Sequence, residues 1–394
     1  MARPNSHGLP ILIAGGGIGG LAAAHALARK GFAVRVLEQA PEFREIGAGI
    51  QLGPNIFRAL DRIGLKDAVL ADAHPPPGME MRCALSGEMV TRIPLDGRFI
   101  DRFQQPYAVT HRADIHGAFL NACERNNLVT LETHRSVEAY EEDEDGVTLV
   151  LQSGERIAGR ALIGCDGMWS KIRDRIVDDG KPRVSGHIAY RAVIEKAHVP
   201  DDLWRPDVVL WAGPRTHLVH YPLRRGELYN LVAVFHSDRY EEGWNAEADA
   251  VELWAHFNGQ RPEVLHMLER IETWRMWVLC DREPVKEWSK GRVTLLGDAA
   301  HPMLQYLAQG ACMATEDAVC LAEKVAEQPD DLAAAFRSYV QQRYLRTARV
   351  QIMARVYGDF YHARGPAAEL RNQMLGPRTP EESYEGVAWL YGGP

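Results

Sequence analysis

At 394 residues the chain is too long for one simple core and predicts two or three structural units. With 46% apolar and 25% charged residues it has the composition of a globular enzyme, and a net charge of -8 with no basic stripe to offset it argues against a nucleic-acid partner. The six cysteines (Cys83, Cys123, Cys165, Cys280, Cys312, Cys320) form no C-x-x-C pair and no Cys/His ligand spacing, so no metal is expected, and reduced thiols in a cytoplasmic setting are.

Leu9 to Ala28 is largely apolar, but Pro10, a run of glycines and His25 interrupt it, so neither a signal peptide nor a membrane span is expected there. The stretch Ile11 to Glu38 reads instead as a buried strand, a glycine turn, an Ala-rich helix from Leu21 to Arg29 and a second strand closed by an acid. Gly15, Gly17 and Gly20 stand at G-x-G-x-x-G spacing between strand and helix. In that pattern the first glycine makes the tight turn, the second lets backbone approach a pyrophosphate and the third lets helix and strand pack closely. Amides at the helix start face the phosphates, and Glu38 stands where the motif wants a carboxylate for ribose hydroxyls. The run Ile46-Gly47-Ala48-Gly49-Ile50 reads either as backbone lying against a flat ligand or as a glycine-bulged strand, and Pro54 opens an amphipathic helix with Ile56, Leu60 and Ile63.

The break at His74-Pro75-Pro76-Pro77-Gly78 leads into alternating strands at Met79–Cys83 and Met89–Ile93, the start of a second unit. A strand at Tyr107–Thr110, a helix from Arg112 to about Asn126 and short strands up to Ile163 return the chain to the first unit. There Asp166-Gly167 follows a buried strand, with Ser170 and Arg173 after it; Asp166 can simply cap the next helix, which leaves Arg173 unexplained. Residues 186–235 alternate as a mostly antiparallel sheet, with helices expected at Ala246–Asn258 and Pro262–Glu269. A third informative segment, Gly297-Asp298-Ala299-Ala300-His301-Pro302, ends an apolar strand and runs through Gln309-Gly310 into a helix from Ala311 to about Glu327. The tail is expected to be helical from Asp331 to about Arg364, followed by a Pro/Gly-punctuated end with Tyr384, Trp389 and Tyr391 either forming a dimer surface or capping the chain's own core.

Taken in order, the segments Gly15–Glu38, Asp166–Arg173 and Gly297–Gly310 resemble the single-component flavoprotein aromatic hydroxylases over roughly residues 10–325. The resemblance implies a resident FAD, reduction by a transient NADH, and dioxygen adding to the flavin to give the hydroperoxide that hydroxylates a phenolic aromatic acid. It implies an α/β fold: a Rossmann-type FAD-binding domain (1–75, 105–180 and 290–330), a mostly antiparallel β-sheet substrate domain (76–104 and 181–289) and a C-terminal helical segment (331–394). Glu38 would hold the adenosine ribose, Arg112 would contact FAD near the pyrophosphate, Asp298 would bind the ribityl or pyrophosphate region, and the Asp166 segment would serve both FAD and the passing nucleotide. No second glycine fingerprint is present, in keeping with transient nucleotide docking.

The third segment departs from the family's usual form, with Gln305, Ala308 and Cys312 where many members carry Pro, Gly and Asn. Together with Gly213–His217 and Tyr221–Arg224, it looks most like the branch that hydroxylates 3-hydroxybenzoate para to its hydroxyl; hydroxylation of salicylate or 6-hydroxynicotinate is the nearest alternative, and a flavin reductase or oxidase without oxygen insertion a further one. Electrophilic attack is helped when the phenol loses its proton, so a general base is expected. His217 is the choice for it, an imidazole titrating near neutrality when unperturbed, whereas His220 has the opposite strand parity. Tyr221 shares the face of His217 and is placed to hydrogen-bond substrate, and Gln305 to orient it. The helix start at Gly310 favours the negative charge of reduced flavin at its pyrimidine end, and Arg44, Tyr190 and Arg191 are further candidates for flavin or carboxylate contact.

Overall fold

The strand Ile11–Ala14 is buried along its whole length and lies between Ala161–Gly164 and Val34–Leu37, parallel to both. A strand shut in on both faces must be a continuous apolar run, which ILIA and ALIG are. Val293–Leu295 and the short Ser289–Lys290 extend this sheet on one side and Val129–Glu132 on the other; only Ser289–Lys290 runs antiparallel. Helix Ile18–Arg29 packs against the sheet and against helix Gly310–Glu327 through small residues, Gly19 lying beside Leu296 and Ala314. The computed structural model describes residues 8–45, 48–238, 246–247, 249–271 and 273–393; Ile46 and Gly47 of the glycine run lie outside them.

A second sheet of eight strands carries, in order, Ala246–Glu247, Arg275–Asp281, Arg183–Glu195, Leu228–His236, Thr216–Leu223, Val208–Gly213, Gly78–Cys83 and Met89–Pro94. It is antiparallel except where Val208–Gly213 meets Gly78–Cys83. Its strands alternate between two cores. Tyr190, Leu218, Leu231 and Phe235 face helices Ala250–Phe257 and Pro262–Glu269, whereas Ala189, Val232 and Val234 face Leu304 and Tyr306 beside the first sheet's loops. The sequence placed Ala246 inside a helix. The helix begins at Ala250, where the Asp249 side chain caps it, and Ala246–Glu247 pairs with the sheet instead.

Beyond Asp331 the chain forms a 30-residue helix, Leu332–Tyr361, and the Pro/Gly-punctuated end folds into two more, Pro366–Leu375 and Pro380–Tyr391. The prolines that read as breaks each occupy a first helical turn, where a missing amide costs nothing; Thr379 and Glu382 complete a capping box on the last helix. Tyr384 and Tyr391 are buried and pack edge-on against Phe99 and Phe103, so these two tail residues cap the chain's own core. Among the described residues no helix is long and apolar enough to cross a membrane.

Candidate active site

The three glycine/aspartate segments leave one edge of the parallel sheet, because Ala14 pairs with Gly164 and Gly164 with Leu295 in register. Gly15 has φ +107°, and a Cβ there would strike the Cys165 carbonyl; one at Gly20 would strike the Gly15 carbonyl. Gly17 starts its helix with no side-chain cap, leaving first-turn amides without side-chain partners. Glu38 accepts hydrogen bonds from the amides of Gly16 at 2.7 Å and Ala40 at 2.8 Å, which pins the carboxylate beside the glycine turn. The Arg112 guanidinium pairs with Glu45 at 2.8 Å next to Gly17.

Asp298 lies beside Gly310, whose helix also lacks a side-chain cap, and its carboxylate makes no hydrogen bond to any described residue. Burial raises its pKa, against the opposing pull of Arg112. Asp166 is likewise raised by burial; one oxygen takes the Ile172 amide at 3.4 Å and the other is buried without a partner. Ser170, not Asp166, is the N-cap of helix Lys171–Ile176. Arg173 acts as a structural clamp. Its buried guanidinium grips Asp179 and donates to the carbonyls of Ala299 at 3.0 Å and Ala300 at 2.5 Å, tying the second segment to the third. Two uncapped helix starts, the Glu38 carboxylate beside the glycine turn and two half-buried carboxylates short of partners form a cradle that suits a dinucleotide, and these residues fit FAD.

The large sheet roofs this cradle. On the inward face His217, Val234 and Ala189 form one row, Val219, Val232 and Arg191 the next, and Tyr221, Asn230 and Val193 the third. The Asn230 side chain accepts the Gly49 amide at 2.7 Å, and a Cβ on Gly49 would fall 2.6 Å from the Tyr221 ring, so the glycine run makes its close approach to the roof. Tyr107 donates to Gln51 at 2.5 Å beside them. Arg191 lies over the Trp277 ring, 3.8 Å from its centre, and donates to the Gln305 carbonyl oxygen. No carboxylate pairs with it among the described residues, its Nε is shut from solvent without a partner, and burial lowers its pKa to about 9. His217 is 3% exposed; burial and nearby His187 lower it to about 3, and its Nδ1 lies 2.7 Å from His362 Nε2. His220 faces the other way, bonded to Trp211 and Tyr229 in the outer core.

Of the residues singled out from sequence, Gly15, Gly17, Gly20, Glu38, Arg112, Asp166, Asp298 and Gly310 lie around the loop edge, with His217, Tyr221 and Gln305 at the roof. Arg44 is not brought in: it is exposed and pairs with Glu42 at 3.2 Å. Tyr190 is on the outward face, bonded to Glu252. The sequence reading missed Glu45, the Arg191–Trp277 stack, and His362 at the end of a helix with no motif to mark it. It also missed the buried ionic set beneath the third segment. Arg343 bridges Asp317 at 2.6 Å and Glu316 at 2.7 Å, while Asp317 also holds His301 at 2.5 Å and the Gly297 amide at 3.2 Å. Burial pushes Asp317 up, but His301 and Arg343 outweigh it and hold the carboxyl down to about 2.

Fold and cradle together define a flavoprotein of the aromatic hydroxylase class. Residues 8–351 match the FAD binding domain family, and the chain belongs to it. Among curated relatives, 3-hydroxybenzoate 6-hydroxylase of Polaromonas naphthalenivorans (strain CJ2) is 47% identical over 98% of this chain and 97% of its own. The 3-hydroxybenzoate 6-hydroxylase 1 of Aquipseudomonas alcaligenes is 44% identical, over 97% of each chain. Among solved structures, Klebsiella pneumoniae HpxO complexed with FAD and uric acid superposes with a TM-score of 0.85 at 28% identity, over 99% of each chain.

Proposed function

We propose that the chain hydroxylates 3-hydroxybenzoate at the carbon para to its hydroxyl, giving 2,5-dihydroxybenzoate, with resident FAD and with NADH and dioxygen as co-substrates. The observation that carries the reading is the pairing, on one inward sheet face, of a guanidinium without a carboxylate partner among the described residues and a buried neutral imidazole. A carboxylate completes Arg191, and a phenol at the other end of the same ring suits His217.

Glu38 would hold the adenosine ribose, the amides after Gly17 and Arg112 would hold the pyrophosphate, Asp298 would bind the ribityl or pyrophosphate region, and the Gly310 helix start would favour negative charge on the reduced flavin. The Asp166 segment would also serve the nicotinamide nucleotide. FAD bound there would supply the redox chemistry that links NADH, dioxygen and the ring. The chain's own residues prepare the ring. Arg191 fixes the carboxylate, and Gln305, already hydrogen-bonded to Arg191, orients it. Tyr221 donates to the substrate oxygen, and His217 takes the phenolic proton, which pushes electron density onto the ortho and para carbons. The roof and the tyrosine-lined interior exclude water.

Product identification after incubating the purified protein with NADH, labelled dioxygen and the three monohydroxybenzoates tests this. Label in 2,5-dihydroxybenzoate from the 3-isomer is expected. Carbon dioxide release would place the chain with oxidative decarboxylases, and NADH consumption without label in any product would make it a reductase or oxidase.

A further inference from the structure

The reading of His217 as base uses one imidazole of four that gather on this side of the sheet. His187 and His236 face each other across neighbouring strands, and His362 ends the long C-terminal helix between them and His217. His217 Nδ1 lies 2.7 Å from His362 Nε2, and His362 Nδ1 lies 3.0 Å from His236 Nε2. His217 and His362 are buried, whereas His236 is half-buried at the rim of a surface recess of about 420 Å³ that Arg215, Ser237, Asp238 and His256 also line. Three rings thus span from the inward sheet face to solvent, each within hydrogen-bond distance of the next.

Resting on the assignment of His217 as base, we propose that His362 and His236 form a proton exit line that carries the phenolic proton from His217 to that recess. The tautomers are consistent throughout. Each neutral ring carries its proton on Nδ1 and accepts on Nε2. The substrate O–H bond breaks as a bond forms to His217 Nε2; the Nδ1 proton of His217 passes to His362 Nε2, that on His362 Nδ1 passes to His236 Nε2, and that on His236 Nδ1 leaves to water. One proton enters, one leaves, and no ring stays charged.

Two further observations support the line. Burial holds His217 down near 3 and lowers His362 as well, so neither ring keeps a second proton at neutral pH and each must hand one on. At the outlet His236 faces Arg215, His256 and Arg364 as well as Asp359, and neighbouring His187 faces Arg215 and Arg183. Arg215 and Arg364 at this rim favour proton departure from His236, and Asp359 and the Asp238 that lines the recess can receive the proton on its way to water. His187 is a side wall, since its Nδ1 is taken by the Tyr306 hydroxyl at 2.6 Å. His187, His236 and His362 present ligand atoms within 4.8 Å of one another, yet both His362 nitrogens are already engaged, so a cation there would break the line.

The test uses FAD-loaded enzyme with 3-hydroxybenzoate, following ultraviolet absorption of bound phenolate by stopped flow alongside kcat and KM. His217→Gln should leave the bound phenol un-ionised. His362→Gln and His236→Gln should slow phenolate formation and kcat about tenfold with KM and FAD content unchanged. His236→Gly, which opens a hole at the rim, should recover on adding imidazole, a response that a merely structural role would not give. Wild-type phenolate rates in both the His362 and His236 variants, with His217→Gln silent, overturn the line alone. Normal ionisation in His217→Gln overturns the base assignment and the line with it.

Discussion

Arg191 offers a test with two opposite outcomes in one variant. Replacing it by Met keeps a flexible stem against Trp277 and removes the guanidinium. A charge-assisted hydrogen bond to a substrate carboxylate contributes about 1.5–3 kcal/mol, so the dissociation constant of 3-hydroxybenzoate should rise by about 10- to 150-fold. The fold should not suffer. Arg191 has no carboxylate partner among the described residues, so its loss orphans no buried anion, only the Gln305 carbonyl, and relieves the desolvation that depresses its pKa. The thermal midpoint of the substrate-free, FAD-loaded protein should therefore hold or rise. Substrate titration against FAD-loaded protein, read from the flavin difference spectrum, gives the first quantity, and circular dichroism melting gives the second. A phenol lacking the carboxylate should bind wild type and variant alike, closing the cycle. A change in affinity below threefold, or equal losses for acid and neutral phenol, would refute the role of Arg191.

His217→Ala should retain FAD and lose most hydroxylation near pH 7, recovering toward pH 10, where a phenol ionises unaided; undiminished activity across the pH range would remove the base. Asp317→Asn leaves Arg343 buried with Glu316 alone and should cost about 3–5 kcal/mol of stability, seen as a lower denaturant midpoint. Because the folded-state carboxyl of Asp317 is depressed, its contribution is present above the ordinary value near 4 and is lost as pH falls toward 2. The wild type should lose stability across that interval and the variant should lack that slope, so identical acid profiles would contradict the pairing. Gln305→Pro should raise uncoupled peroxide or alter substrate choice while FAD affinity holds; unchanged product and peroxide yields would count against it.

What was legible in the sequence is what a short segment decides for itself. The turn at Gly15 admits no side chain because the Cys165 carbonyl fills the space, and a parallel strand buried on both faces must read as unbroken apolar residues, so strand, turn and helix announced themselves. Strand parity separated His217 from His220 correctly for the same reason. The exit histidine at position 362 and the Arg343 ion set were invisible, because each depends on the long C-terminal helix packing against an element more than 25 residues away in the chain, a sheet strand for His362 and the helix Gly310–Glu327 for Arg343. The two last helices were not told apart within the helical tail, because proline marks a break inside a helix and an opening at its first turn, and composition alone does not say which. Arg44, a candidate for flavin or carboxylate contact or a solvated residue, is exposed and pairs with the neighbouring Glu42.

The Arg173 guanidinium has a consequence for anyone reshaping this scaffold. By gripping the Ala299 and Ala300 carbonyls from a helix that follows Asp166, it makes two sequence-distant bends behave as one mechanical part. Transplanting either bend alone from another protein would leave a cation facing backbone that no longer receives it. The two must be exchanged as a matched set, together with the Asp179 that anchors the guanidinium.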